Sequence, residues 1–263
     1  MPVSDPFVSE HRLCISAARE AGELAMKYFG GDYARWDKGG NNPVTEADLA
    51  VDRLLRGRLS AFDKDYGWLS EETEDDSSRH SARRSWVVDP IDGTRAFIRG
   101  QPHFAISIAL VEDALPVCAV VFNPATNELF DAVAQGPARL NGAVISVSGK
   151  DALLDARMLA SNGVFEQKRW KSPWPAMHVE ARNSIAYKGG LIAAGIFDGC
   201  LLFSGAYDWD LAAADLIVRA AGGCMTDHSG QRLRFNQPAP RQQNMVAAGP
   251  ELHALLLERL SWG

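Results

Sequence analysis

Two early segments carry apolar residues at helical spacing. Leu13, Ala17, Ala21 and Leu24 predict the buried stripe of a first helix. Asp5-Pro6 opens it, with Asp as cap and Pro in the first turn, and it ends near Gly30-Gly31. His11 on this helix is expected to be solvated. Trp36 to Val44, with Gly39-Gly40-Asn41-Asn42-Pro43 and Lys38, reads as a loop. Thr45-Glu46-Ala47-Asp48 then resembles a capping box with Asp in place of the usual Glu, and Val51, Leu54, Leu55 and Leu59 give the second helix its apolar face.

The period next shortens to that of strands. Gly67 to Ser70 is a short strand ending in Glu71-Glu72, and the polar run Thr73 to Arg84 reads as a surface loop. Trp86-Val87-Val88 is a buried strand that must end at Asp89. Ala105 to Val111, Val117 to Phe122, Leu129 to Ala134 and Ala138 to Leu140 form an antiparallel meander, with Asn141-Gly142 as a hairpin turn. After Gly149 the pattern resets. Ala156 to Ser161 reads as a strand, Tyr187 to Ala194 as a helix and Cys200 to Phe203 as a strand. Trp209 to Ala221 is a helix ended by Gly222-Gly223, followed by a strand at Met245 to Ala248 and a closing helix at Glu251 to Leu260. No repeat or linker divides the chain, so residues 1–263 read as one unit with approximate lobes 1–150 and 151–263.

Composition narrows the function. The chain has 263 residues, 46% of them hydrophobic and 23% charged, with a net charge of −6. That acidity argues against a nucleic-acid polymer as partner. No apolar run approaches the ~20 residues of a membrane span. Met1 to Glu10 carries acids and no apolar centre, unlike a signal peptide. Cys14, Cys118, Cys200 and Cys224 are far apart and read as reduced core thiols. A cytoplasmic protein is expected.

The chemistry concentrates at Trp86-Val87-Val88-Asp89-Pro90-Ile91-Asp92-Gly93-Thr94. Pro90 and Gly93 interrupt the strand, which leaves two carboxylates on an elbow. Neighbouring carboxylates repel unless a cation lies between them, and oxygen donors without Cys or His suit Mg²⁺. Thr94 to Arg99 can open a helix whose first N–H groups favour a phosphate. Ordinary turn work by Asp and Gly is the plainer reading. Against it, further acids recur at Asp48, Glu71, Asp208 and Asp210. Asp48 has its own explanation as a first-turn acid, and Glu71 as part of a solvated loop. An aspartyl-phosphate mechanism needs two acids one residue apart, whereas Asp89 and Asp92 are separated by two. His80, His103, His178, His228 and His253 show no ligand spacing, and Arg95 and Arg99 face either the mouth of the site or solvent.

The elbow resembles the first signature of the inositol monophosphatase family. Trp209-Asp210-Leu211-Ala212-Ala213-Ala214-Asp215 with Ala221-Gly222-Gly223 resembles its second, and Pro43 to Asp48 and Ser70-Glu71-Glu72 match two further blocks in order. The resemblance implies an α/β fold of layered α-β-α-β-α type, a homodimer, and Li⁺-sensitive, Mg²⁺-dependent hydrolysis of small phosphate monoesters. It assigns Glu71, Asp89 and the Ile91 carbonyl to a first metal and Asp89, Asp92 and Asp210 to a second. Glu71 also serves a third through water. Thr94, bonded to Asp48, helps activate the attacking water, and the Gly93 and Thr94 amides cradle the phosphate. Inositol-specific members carry a Glu seven residues before the second-signature Asp, where this chain has Phe203. Ser184-Ile185-Ala186-Tyr187-Lys188 places a Lys as bacterial 3'(2'),5'-bisphosphate nucleotidases do. Substrate contacts are therefore expected from Lys188, Phe203 and Ser184, with 3'-phosphoadenosine 5'-phosphate as substrate, inositol 1-phosphate as the alternative, and a non-catalytic phospholigand-binding member as the remaining one.

Overall fold

The computed structural model describes residues 6–260 apart from 38, 40–42, 76, 167–169 and 171. Helix α1 (Val8–Tyr28) begins after Phe7, beyond the predicted Pro6 start, and Asp5 lies outside the described residues. Its buried line is Cys14, Ala17, Ala18, Ala21, Gly22 and Ala25, with Leu13 and Leu24 at the margins. Small residues win that face because the helix lies close on the sheet. A Cβ at Gly22 would stand 2.5 Å from the Phe122 ring.

Strands β1 (Arg35–Asp37) and β2 (Pro43–Thr45) pair antiparallel where the sequence suggests only a loop, and Lys38 lies outside the described residues. Helix α2 (Glu46–Ser60) starts at the capping box: Asp48 Oδ2 accepts from the Thr45 amide at 2.8 Å, and Thr45 Oγ1 accepts from the Asp48 amide. Strand β3 (Gly67–Ser70) follows. The polar run after it is not wholly surface. A 3₁₀ turn at Ser78–Ser81 buries Arg79 completely, with its guanidinium satisfied by Asp75, Asn236 Oδ1 and the Gln237 carbonyl.

Strand β4 (Arg84–Asp92) runs through the predicted stop at Asp89. Its pairing with β5 (Ala105–Glu112) jumps from Asp89↔Ser107 to Asp92↔Ala105, so Pro90 and Ile91 face the single residue Ile106 and the strand bulges. Pro90 is tolerated there because a bulge releases the ladder N–H that Pro lacks. The five-residue helix α3 (Thr94–Ile98) follows. Strands β6 (Leu115–Asn123), β7 (Glu128–Val133), β8 (Arg139–Leu140) and β9 (Ala143–Val144) complete the meander. Its last turn holds Asn141 at φ 49° and Gly142 at φ 85°, the left-handed pair a tight hairpin needs. The large sheet thus has the order β3-β4-β5-β6-β7-β8-β9.

A second, five-stranded sheet is built from β10 (Arg157–Leu159), β11 (His178–Glu180), β12 (Gly199–Leu202), β14 (Cys224–Thr226) and β16 (Met245–Ala248), in the order β11-β10-β12-β16-β14. Helix α4 (Ile185–Ala193) precedes β12. Strand β13 (Ala206–Tyr207) pairs with β15 (Arg241–Gln242) and leads into helix α5 (Asp208–Ala220), and α6 (Pro250–Leu260) follows the last strand.

Three apolar clusters define the layers. Trp86, Val88, Ile106 and Ile108 face α1 and α2. The alternate residues Val87, Ala109, Ala119 and Val121 face Ala186, Leu211, Ala214 and Ile217 of α4 and α5, and those helices also meet Leu159, Cys200 and Leu202 of the smaller sheet. Ala156, Leu201 and Val246 on that sheet's far side face Leu252, Leu256 and Leu260 of α6. The stack is α-β-α-β-α, as expected. His11 is not simply solvated, because its Nε2 lies 3.0 Å from the buried Asp131 Oδ2 on β7. No helix among the described residues is long and apolar enough to cross a membrane.

Candidate active site

Two elements carry the acids. The bulge at the end of β4 presents Asp89 and Asp92, and the first turn of α5 presents Asp210. Ser107 Oγ donates to the Trp209 carbonyl at 3.0 Å and so ties the start of α5 to β5. Asp210 Oδ2 accepts from the Tyr207 amide at 2.8 Å, which makes it a capping acid as well. Asp208, the other acid predicted there, is fully buried and turned away. It accepts from the Asn236 amide at 2.6 Å and from Gln242 Nε2 at 3.0 Å.

Asp89, Asp92 and Asp210 each offer an oxygen, all within 4.8 Å of one another. They line a cleft of about 570 Å³ shared with Glu71, Gly93, Thr94, Ser184 and Lys188. Burial, and then the charges of Glu71, Asp92 and Asp210, hold the Asp89 carboxyl well above the ordinary carboxylate range. Burial and Asp92 do the same to Asp210. Asp92 is raised by burial, but an amide bond from Ala186 at 2.6 Å, a hydroxyl bond from Ser184 at 2.8 Å and the Lys188 charge all oppose the rise. Three oxygen donors in this state fit a hard divalent cation, which would remove the repulsion that burial magnifies.

Thr94 Oγ1 stands 3.2 Å from Asp48 Oδ1 and 3.2 Å from the Ile91 carbonyl, so its single proton serves one of them at a time. Thr45 donates through both its amide and its hydroxyl to Asp48 Oδ2, which leaves Oδ1 for Thr94. Asp48 is buried, and that burial raises its carboxyl despite these bonds. Gly93 has φ +97°, and a Cβ there would stand 2.7 Å from the His103 carbonyl oxygen, so the elbow admits only glycine.

Ser184 caps α4 by accepting from the Tyr187 amide at 3.0 Å, and its own proton goes to Asp92. It therefore acts on Asp92 while lining the cleft. Lys188 lines the cleft. Phe203 does not: its ring packs 5.8 Å from Trp170 in the cluster under α6. The reason is strand parity. Cys200 and Leu202 face α4 and α5, while Leu201 and Phe203 take the opposite side, so Leu202 reaches the cleft and its neighbour cannot. The alternation within Cys200 to Phe203 was the signal for this. Arg182, Tyr207 and Arg241 also line the cleft and carry no local motif that marks them, and Trp209, which opens the second signature, lines it too. Arg95 lines it too, whereas Arg99 is exposed outside it.

An acid cluster at a strand bulge, facing a helix start across a layered α-β-α-β-α stack, suits the hydrolysis of phosphate monoesters, and the comparisons with known proteins show that class. The sequence model of the inositol monophosphatase family matches residues 10–261, and the chain belongs to that family. It is 38% identical to an inositol-1-monophosphatase of Rhizobium meliloti, over 73% of this chain and 75% of that one. It is 34% identical to a histidinol-phosphatase of Chlorobaculum parvum, over 84% and 86% of the two chains. The crystal structure of the extragenic suppressor protein suhB from Bartonella henselae superposes with a TM-score of 0.85 at 28% identity, over 97% of this chain and 99% of that one.

Proposed function

We propose that the chain is a Mg²⁺-dependent phosphomonoesterase that hydrolyses a small phosphorylated metabolite by metal-activated water. The convergence of Asp89, Asp92 and Asp210 within 4.8 Å carries this reading. Glu71, Asp89 and the Ile91 carbonyl would hold one cation, Asp89, Asp92 and Asp210 a second, and Glu71 a third through water. When bound, such cations acidify a water and offset charge on the phosphate and the leaving alkoxide. The protein supplies the remaining steps. Thr94 gives its proton to Asp48 Oδ1, and its oxygen is then placed to accept one from the attacking water. The first N–H groups of a helix have no partner within it, so the Gly93 and Thr94 amides are available to the phosphate oxygens. Lys188 adds positive charge beside them.

The finer reading of the substrate is a 3'(2'),5'-bisphosphate such as 3'-phosphoadenosine 5'-phosphate, supported by Lys188 in the cleft. Phe203 no longer contributes to it. Inositol 1-phosphate is the alternative, favoured by the name of the Rhizobium relative. A homodimer and a cytoplasmic location belong to the same proposal, and sedimentation of the full chain tests the first. The deciding assay is steady-state phosphate release with Mg²⁺ from 3'-phosphoadenosine 5'-phosphate, inositol 1-phosphate and histidinol phosphate, with and without Li⁺. Release that requires Mg²⁺ and falls with Li⁺ is expected, with the bisphosphate turned over best. Absence of Mg²⁺-dependent release from all three sinks the hydrolase reading.

A further inference from the structure

The cationic residues of the cleft are not equivalent. Arg182 is paired with Glu180 and lies over the Phe197 ring. Lys188 acts electrostatically on Asp92 and so belongs to the acid cluster. Arg241 differs from both. Among the described residues no ion pair involves it, and its guanidinium lies 5.7 Å from the centroid of the Tyr207 ring. Tyr207 is itself stacked on Trp209, with centroids 4.5 Å apart and planes 7° from parallel.

Backbone geometry builds this stack. Tyr207 and Arg241 are register partners in the β13–β15 ladder. Gly205, at φ +75°, lets the chain close in, since a Cβ there would stand 3.2 Å from the Gln242 carbonyl oxygen and 3.3 Å from Arg241 Nη2. Tyr207 and Trp209 flank Asp208, and Asp210 comes next, so the rim cation is joined to the helix that carries a metal acid.

An exposed arginine normally loses rotamer freedom when it binds an anion, and that loss weakens the contact. An aromatic face that holds the guanidinium beforehand reduces the loss while leaving the N–H edge open. That edge matches a carboxylate or phosphate with two parallel hydrogen bonds. We propose that Arg241, propped on the Tyr207–Trp209 stack, is a specificity-determining residue that receives an anionic group on the leaving alcohol. Preferred substrates are then phosphate monoesters whose alcohol carries a second phosphate or a carboxylate. This rests on the hydrolase reading and adds to Lys188 a contact at the rim.

The test uses two substrate pairs that differ only in the second anion. Adenosine 3',5'-bisphosphate is compared with adenosine 3'-monophosphate, and 2-phosphoglycerate with glycerol 2-phosphate. For Arg241→Gln, the ratio of kcat/KM within at least one pair is expected to fall about ten-fold toward the less charged member, the size of a lost charged hydrogen bond. Arg241→Lys should recover part of that ratio, and added salt should lower it in the wild type but not in Arg241→Gln. The pair that responds identifies phosphate or carboxylate as the anion. Isothermal titration of the Mg²⁺-loaded protein with both adenosine nucleotides measures the same preference as binding. A protein that binds the bisphosphate preferentially through Arg241 but releases no phosphate would keep this proposal and lose the hydrolase reading. Equal losses for both members of each pair, in turnover and in binding, would show that Arg241 only braces the rim and would overturn it.

Discussion

Replacing Asp210 by Asn should stabilise the metal-free protein while removing Mg²⁺-dependent activity. Asp89, Asp92 and Asp210 present oxygens within 4.8 Å, and two unit charges at that separation repel by roughly 3 kcal/mol at an effective dielectric of about 20. Retaining a proton limits the cost. Holding a carboxyl of ordinary pKa 3.8 protonated at pH 7 costs about 4 kcal/mol, so the relief from one substitution should be about 2–4 kcal/mol. The cap survives, because the Asn side-chain oxygen can still accept from the Tyr207 amide. The pH dependence has a definite sign. Folded Asp89 and Asp210 are both raised, so the folded state holds more protons than the unfolded state, and stability is lost as pH rises from about 4 toward the folded values. The advantage of Asp210→Asn should therefore be near zero at pH 4 and largest at neutral pH. Thermal unfolding in chelator from pH 4 to pH 8, repeated with Mg²⁺, measures this. Mg²⁺ should stabilise the wild type more than the variant. A variant no more stable than wild type at pH 7 in chelator would refute the electrostatic account of the cluster.

Three further outcomes follow from the site. Thr94→Val should lower kcat by about 100-fold with KM nearly unchanged, because it removes the hydroxyl bonded to Asp48; a stopped assay at saturating substrate decides it. Phe203→Ala should cost about 1–3 kcal/mol in urea unfolding without altering KM, since its ring packs with Trp170 away from the cleft. A raised KM in a folded Phe203→Ala variant would contradict that placement. Gly93→Ala should lose at least about 2 kcal/mol of stability and most activity, because φ +97° and the His103 carbonyl leave no room for a methyl group. Calorimetry showing an unchanged Tm would overturn this.

Much of the molecule was legible in the chain because its signals are local. Capping at Thr45–Asp48, the Asn141-Gly142 turn and the meander depend on neighbours in sequence, and the structure has each of them. The acids Asp89, Asp92 and Asp210 were legible as a group through the two signature stretches that carry them, whereas Asp208, beside Asp210, serves Asn236 and Gln242 instead. Other features needed the assembled fold. Alternation decides that Leu202 and not Phe203 meets the cleft, but only packing reveals which side of β12 the cleft occupies. Arg79 reads as a surface residue until Asn236, more than 150 positions away, supplies a partner. Arg241 becomes notable only when β15 pairs with β13 and lays it on Tyr207. Hydrogen bonds and turn angles within a few residues are determined by the chain itself. Contacts between distant segments are set by which faces the layers bury, and that choice belongs to the tertiary structure.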